Sequence, residues 1–192
     1  MKDLYKKTVY GVGFIGEGEY KITVNNQRTK MSNAWKNMLQ RCYKGLETHP
    51  SYDKVLVDDR WHNFQNFGKW FDENYVEDWH LDKDILTKGN KIYSPGTCCF
   101  VPPEINYLFI KCNKSRGEYP IGISLVHTKF QVTLRKNGKT HNLGRFSTIE
   151  EAFQVYKFAK EAYIKEVADR WRPVITEVIY NAMYNWVVEI TD

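Results

Sequence analysis

Lys129-Phe-Gln-Val-Thr-Leu-Arg-Lys-Asn-Gly-Lys-Thr-His-Asn-Leu-Gly-Arg-Phe146 is the stretch on which the fold turns. Two runs of alternating apolar and polar residues flank Asn137-Gly138, a dipeptide suited to a two-residue hairpin because both positions tolerate a positive φ. Residues 121–126 upstream supply a third strand, so strands are predicted over 121–126, 129–135 and 140–146. Downstream, Thr148-Ile-Glu-Glu151 reads as a capping box, in which hydroxyl and carboxylate each satisfy an N–H of the opening turn. Ile149, Ala152, Phe153, Tyr156, Ala159, Tyr163 and Val167 then recur at helical spacing and predict one long helix with a buried stripe. Three strands and one helix leave a sheet face open. Arg172-Pro173 ends that helix, and a last one follows with Ile175, Val178, Ile179, Ala182 and Trp186 facing one way.

Upstream the period changes. Trp35, Met38, Leu39 and Cys42 follow Ser32 at i, i+3, i+4, i+7, which predicts a helix over 32–44. Val55-Leu-Val57 is strand-like, and Trp61, Phe64, Phe67, Trp70 and Phe71 predict a second helix to about Asn74. His80-Leu-Asp-Lys-Asp-Ile-Leu86 alternates, with Leu81 and Ile85 on one face and His80, Asp82 and Asp84 on the other. After a turn at 88–91, residues 92–101 supply the return strand across Pro95-Gly96, and Pro102-Pro103 opens a short helix carrying Asn106. Gly11, Gly13 and Gly16 satisfy G-x-G-x-x-G, but strand formers follow where a dinucleotide site needs a helix, so this segment reads as a turn or hairpin. The fold class is therefore α+β: an N-terminal helical scaffold with a strand-strand-helix unit, then a three-stranded antiparallel sheet on one helix, then a C-terminal helix.

The length of 192 residues allows one large domain or two small ones. No apolar run approaches the ~20 residues of a membrane span, and the lysine-bearing start lacks the apolar segment of an export signal. Cys42, Cys98, Cys99 and Cys112 have no C-x-x-C spacing, so neither a structural zinc nor a disulfide framework is expected, and a reducing compartment is the default. His49, His62, His127 and His141 fall in separate elements and compose no cluster. Six Trp, 13 Tyr and 10 Phe sit mostly at helical spacing, which assigns them to cores before base stacking. The net charge of +5 is uneven. Between Lys111 and Ser147 eight basic residues face the single acid Glu118, the footprint of a surface for polyanions.

Two stretches resemble known families. Gly122-Ile-Ser, the strand pair already quoted with Leu143-Gly-Arg-Phe146, and Glu150-Glu-Ala-Phe-Gln-Val-Tyr-Lys-Phe-Ala159 resemble the APETALA-type, ethylene-response-factor-like DNA-binding domain, over about 50 residues. That resemblance implies a sheet lying in the major groove with the helix packed behind it. Alternation then turns Val132, Leu134, Leu143 and Phe146 to the helix and leaves Gln131, Thr133, Arg135, Thr140 and Asn142 on the open face. Arg135 is the candidate for a bidentate guanine contact, and Lys129, Lys136, Lys139 and Arg145 for phosphates. The family carries more arginine on its first strand and a tryptophan where Asn142 stands, so target specificity does not carry over.

Trp35-Lys-Asn-Met-Leu-Gln-Arg-Cys-Tyr43, the Trp61 to Trp70 aromatics, and Leu81-Asp-Lys-Asp-Ile-Leu86 with Gly89-Asn-Lys-Ile-Tyr-Ser-Pro95, Cys98, Val101-Pro102 and Ile105-Asn106 resemble phage-encoded HNH-type nucleases (His-Me finger, ββα-metal). The resemblance implies one divalent cation, Mg2+ or Mn2+, between the first strand and the helix, and a strand base that activates water. The matching positions are Asp82 or Asp84 on the strand, Asn90 in the hairpin loop and Asn106 on the helix, with Asp82, Asp84 and Asn106 as metal ligands. The family's base is histidine, and here Asp84 takes its place, so either Asp84 is the base or cleavage is weak or lost.

The expectation is thus a phage-type DNA endonuclease or nickase acting on double-stranded DNA in the cytoplasm of an infected bacterial cell. It has an HNH-like domain over 1–110, an APETALA-type domain over 118–170 and a packing helix over 171–192. The alternatives are a degenerate nuclease scaffold that binds or regulates DNA without cutting, and a protein-interaction module.

Overall fold

The computed structural model describes residues 3–44, 52–110 and 118–192. His49 and, in the basic block, Lys111, Cys112, Lys114 and Arg116 lie outside them. Backbone contacts divide the chain into Met1–Pro103 and Glu104–Asp192. The architecture is mixed α+β, as its patterning predicts.

In the first unit, β1 (Thr23–Val24) and β2 (Gln27–Arg28) form a hairpin whose turn residues Asn25 and Asn26 both have positive φ. Helix α1 (Lys30–Tyr43) begins two residues before the predicted start, because its cap is Thr29, which accepts from the Ser32 N–H at 3.1 Å, while Ser32 itself is buried. Trp35, Met38, Leu39 and Cys42 form its buried stripe. A 3-10 turn, Asp59–His62, leads into α2 (Phe64–Asn74), capped by Asn63. Trp61, Phe64, Phe67, Trp70 and Phe71 meet the α1 stripe in one core with Val55, Val57, Tyr93 and Phe100. Burying rings of that size gives this unit most of its apolar stabilisation. The Trp35 indole N–H donates to the Trp61 carbonyl at 2.6 Å, which satisfies that buried polar group.

The predicted strand pair of this unit is rearranged. β4 is only His80–Asp82, and its antiparallel partner is β6 (Cys99–Val101), with Leu81 opposite Phe100. The first part of the expected return strand, β5 (Ile92–Tyr93), instead runs parallel to β3 (Leu56–Val57). The break is the turn around Pro95-Gly96, where the N–H groups of Thr97 and Cys98 both donate to the Ser94 carbonyl. Helix α3 (Pro103–Leu108) follows, and the dividing point of the two units falls after its first residue.

The second unit keeps the predicted order. β7 (Ile123–Val126), β8 (Lys129–Lys136) and β9 (Lys139–Phe146) form an antiparallel meander, and Asn137 and Gly138 both take positive φ at its tip. Helix α4 (Ile149–Trp171) starts at the predicted capping box, with Thr148 and Glu151 bonding each other's backbone N–H groups. It packs across the sheet on Val132 and Leu134 through Ala152, Phe153, Tyr156 and Tyr163. Gly122, at positive φ, sits where any Cβ would run into the Tyr156 ring, so the helix lies as close as that position allows. Its C-terminal half buries Ile164, Val167 and Ala168 beside α5 (Glu177–Tyr184). The buried face of α5 is Ile179, Tyr180 and Met183, one residue round from the predicted face, and Val178 is 64% exposed. Glu104 ties α3 to the end of α4: its carboxylate accepts from Arg170 at 2.6 Å and from the Trp171 indole at 2.7 Å.

Candidate nucleic-acid interface

Both sets of residues singled out from sequence are within the described segments, one in each unit apart from Asn106. In the first unit the chain leaves β4 at Asp82 and makes a tight loop to β5. The Asp82 Oδ1 accepts from the N–H groups of Asp84 (2.8 Å) and Ile85 (2.7 Å), which ends the strand there. Asp84 is therefore in the loop, where alternation had placed it on the strand. Its two oxygens accept from Lys83 Nζ at 2.7 and 2.8 Å, and the same ammonium donates to the Asn90 carbonyl at 2.8 Å. Asn90 donates its amide to the carbonyls of Lys83 and Ile92 and accepts from the Ile92 N–H. Lys83 is 8% exposed, a buried cation at the centre of this loop. Burial pushes the Asp82 carboxyl above the usual range, against the pull of the Ile85 and Asp84 N–H groups.

Asn106 is half-buried on α3 and belongs to the second unit. Within the first unit, Asp82, Asp84 and Asn90 are held by partners in the loop itself. Asp84 is neutralised by Lys83, the Asn90 amide is taken up by backbone, and among the described residues no three His, Cys, Asp or Glu side chains converge. Cys42 and Cys98 are buried, and burial raises their thiols to about 11 and about 12, so both stay protonated.

The sheet of the second unit presents its face differently. Directly opposed residues point the same way, so the register decides who shares the open side. Gln131 opposes Arg145, Thr133 opposes Asn142, and Arg135 opposes Thr140. Between Val132 and Thr133 the register shifts, because Val132 pairs with Gly144 and leaves Leu143 as an extra residue in β9. This bulge lets Thr140, Asn142 and Arg145 share one face despite their mixed parity. Arg145 Nε donates to Gln131 Oε1 at 3.1 Å, which fixes both side chains there. Lys129 has the same parity as Gln131 and faces the same way.

Lys136 turns the other way. Its ammonium pairs with Glu166 of α4 at 2.9 Å and lies 4.8 Å over the Tyr163 ring, so it braces the helix where a phosphate contact had been expected. Lys139 opposes it in the register. Tyr163 also pins the hairpin tip, accepting from the Asn137 N–H at 3.1 Å.

Sequence reasoning missed three features: the buried Lys83, the arrival of Arg145 on the open face, and a Tyr43–His62 contact of 3.0 Å. Only the second left a signal. Leu143 and Phe146 are both apolar but of opposite parity, which two residues of one strand can share only across a bulge. No family model, curated protein or solved structure matches this chain.

Proposed function

We propose that the protein binds double-stranded DNA by laying the open face of β7–β8–β9 in the major groove. What carries the reading is one juxtaposition: Arg135 and Arg145, with Gln131, Thr133, Thr140 and Asn142, lie on a sheet face turned away from the helix. No acid occurs in either strand of that hairpin. A two-stranded ribbon fits the major groove, where arginine reads guanine and an amide reads adenine, while Lys129 at its margin suits a phosphate. Most acids of this unit lie on its helices instead, so the field is directed to one side. The test is a titration of labelled duplex at rising salt. Binding whose logarithm falls linearly with the logarithm of salt concentration is expected. No retention at low salt sinks the reading and favours a protein-interaction module.

A second reading, phosphodiester cleavage, draws on the chain order of β4, β6 and α3 and on an Asp82 carboxyl whose pKa burial raises. It requires Lys83 to release Asp84. Incubation of supercoiled plasmid with Mg2+ or Mn2+ distinguishes the two: nicking that Asp84→Ala abolishes establishes cleavage.

A further inference from the structure

Beyond the hydrogen-bonded reach of β7, the edge of β8 has no strand partner among the described residues. β7 pairs with Lys129 to Val132, and the last bond on that side runs from the Thr133 N–H to the Gly122 carbonyl at 2.8 Å. Alongside the remaining edge lies a groove of about 660 Å3, entirely within the second unit. That volume falls within the roughly 300–1,000 Å3 of pockets that enclose small ligands.

Its lining joins two chemistries. Tyr107 of α3, 62% exposed, presents an aromatic ring at one wall, and the buried Tyr156 and Tyr163 form the floor with α4. Lys160 and Arg135 supply positive charge, while the carboxylate of Glu104 is already engaged by Arg170 and Trp171. Arg135, Thr133 and Thr140 line this groove and also belong to the open sheet face. The groove is therefore continuous with the surface assigned to DNA, and whatever fills it touches Arg135.

We propose that this groove takes one unstacked nucleotide of the DNA held on the sheet, which makes the preferred substrate a duplex interrupted by a bulged or single-stranded base. The inference rests on the DNA-binding reading. An aromatic ring accepts a base by stacking whatever its sequence, the cations receive its phosphate, and the strand edge that has no strand partner among the described residues offers N–H and C=O groups to the base edge. A perfect duplex has no such base to offer without losing its stacking and pairing, so it fills the sheet face and leaves the groove aside.

Fluorescence anisotropy with a perfect duplex and with the same duplex carrying a single-nucleotide bulge tests this at one salt concentration. The bulged duplex should bind about tenfold more tightly, the size of one base–aromatic stack. Tyr107→Ala should remove that preference and leave perfect-duplex affinity intact, while Tyr107→Phe should keep both. Circular dichroism confirms that the variants fold. Equal affinity for the two duplexes, or a preference that survives Tyr107→Ala, overturns the inference and leaves the DNA reading standing. Binding of neither duplex removes the DNA reading itself. Displacement of the bulged duplex by an acidic peptide without loss of perfect-duplex binding overturns the assignment in favour of a protein ligand.

Discussion

In the loop after β4, three candidates for chemistry bond to Lys83 and to the loop's own backbone; on the open face of β7–β8–β9, side chains of the same polar character point away from the helix that packs the unit. Asp82, Lys83, Asp84 and Asn90 close their loop with bonds of 2.7 to 2.8 Å. Gln131 and Arg145 bond across the strands of the face they share. Polar groups turned inward contribute to stability, and polar groups turned outward are available to a ligand. The difference is measurable, since substitutions in the two regions should move different quantities.

The largest effect is expected from Lys83→Met. Removing one partner of a buried ion pair costs about 3–5 kcal/mol. Asp84 is 41% exposed at its side chain and keeps part of its hydration, so the loss here is placed lower, at about 2–3 kcal/mol. Urea unfolding followed by tryptophan fluorescence reads it, because the six tryptophans include Trp35 and Trp61 in the first unit's core. Duplex affinity should not change. A variant as stable as wild type would mean that the loop is not held by its lysine, and would return Asp84 to the list of groups free to act.

Arg135→Ala should do the reverse. An arginine reading a base is worth about 1–3 kcal/mol, so duplex affinity should fall roughly tenfold or more. Unfolding should move by less than about 0.5 kcal/mol, as for other exposed positions. Lys136→Ala is the internal contrast: it breaks the Glu166 pair and the Tyr163 contact, and should weaken DNA binding less than Arg135→Ala although the two residues are neighbours. If Lys136→Ala proves the more damaging to binding, the assignment of faces by register is wrong.

What was legible in the sequence follows the same division. The hairpin tip at Asn137-Gly138 and the capping box at Thr148 to Glu151 are read correctly because each is specified by residues within a few positions of one another. The aromatic stripes of α1 and α2 are read correctly because period alone decides which side is buried. Failures occur where a side chain overrides the backbone pattern. His80 to Leu86 alternates like a strand, yet Asp82 bonds the N–H groups two and three residues on and stops it. The segment from 92 to 101 has strand composition throughout, but the turn at Pro95-Gly96 sends its two ends to different partners. Lys83 falls on the apolar side of the alternation, and nothing local says that a lysine there will be buried with Asp84 and the Asn90 carbonyl. The residues of the open sheet face are mostly legible, since Gln131, Thr133 and Arg135 lie in a regular strand, and only the bulge moves Arg145 among them.

The smallest expected effect concerns pH, and it again belongs to the inward-turned polar groups. His62 lies between Tyr43, whose hydroxyl is 3.0 Å from Nε2, and Asp59, whose Oδ1 is 3.4 Å from Nδ1. Burial holds its pKa below the ordinary histidine value, and Lys7 acts in the same direction, while Asp59 and Asp58 oppose both. The unfolded chain takes up this proton near pH 6.5 and the folded chain only at lower pH. Between those points the unfolded state binds more protons, so the contribution of the neutral ring is complete above about pH 6.5 and is lost as pH falls through the folded value. His62→Gln keeps an amide within reach of Tyr43 and removes the titration. Urea midpoints measured at a series of pH values should therefore decline on acidification more steeply in the wild type than in the variant. Parallel declines would place the acid sensitivity elsewhere and would leave the Tyr43–His62 contact as packing alone.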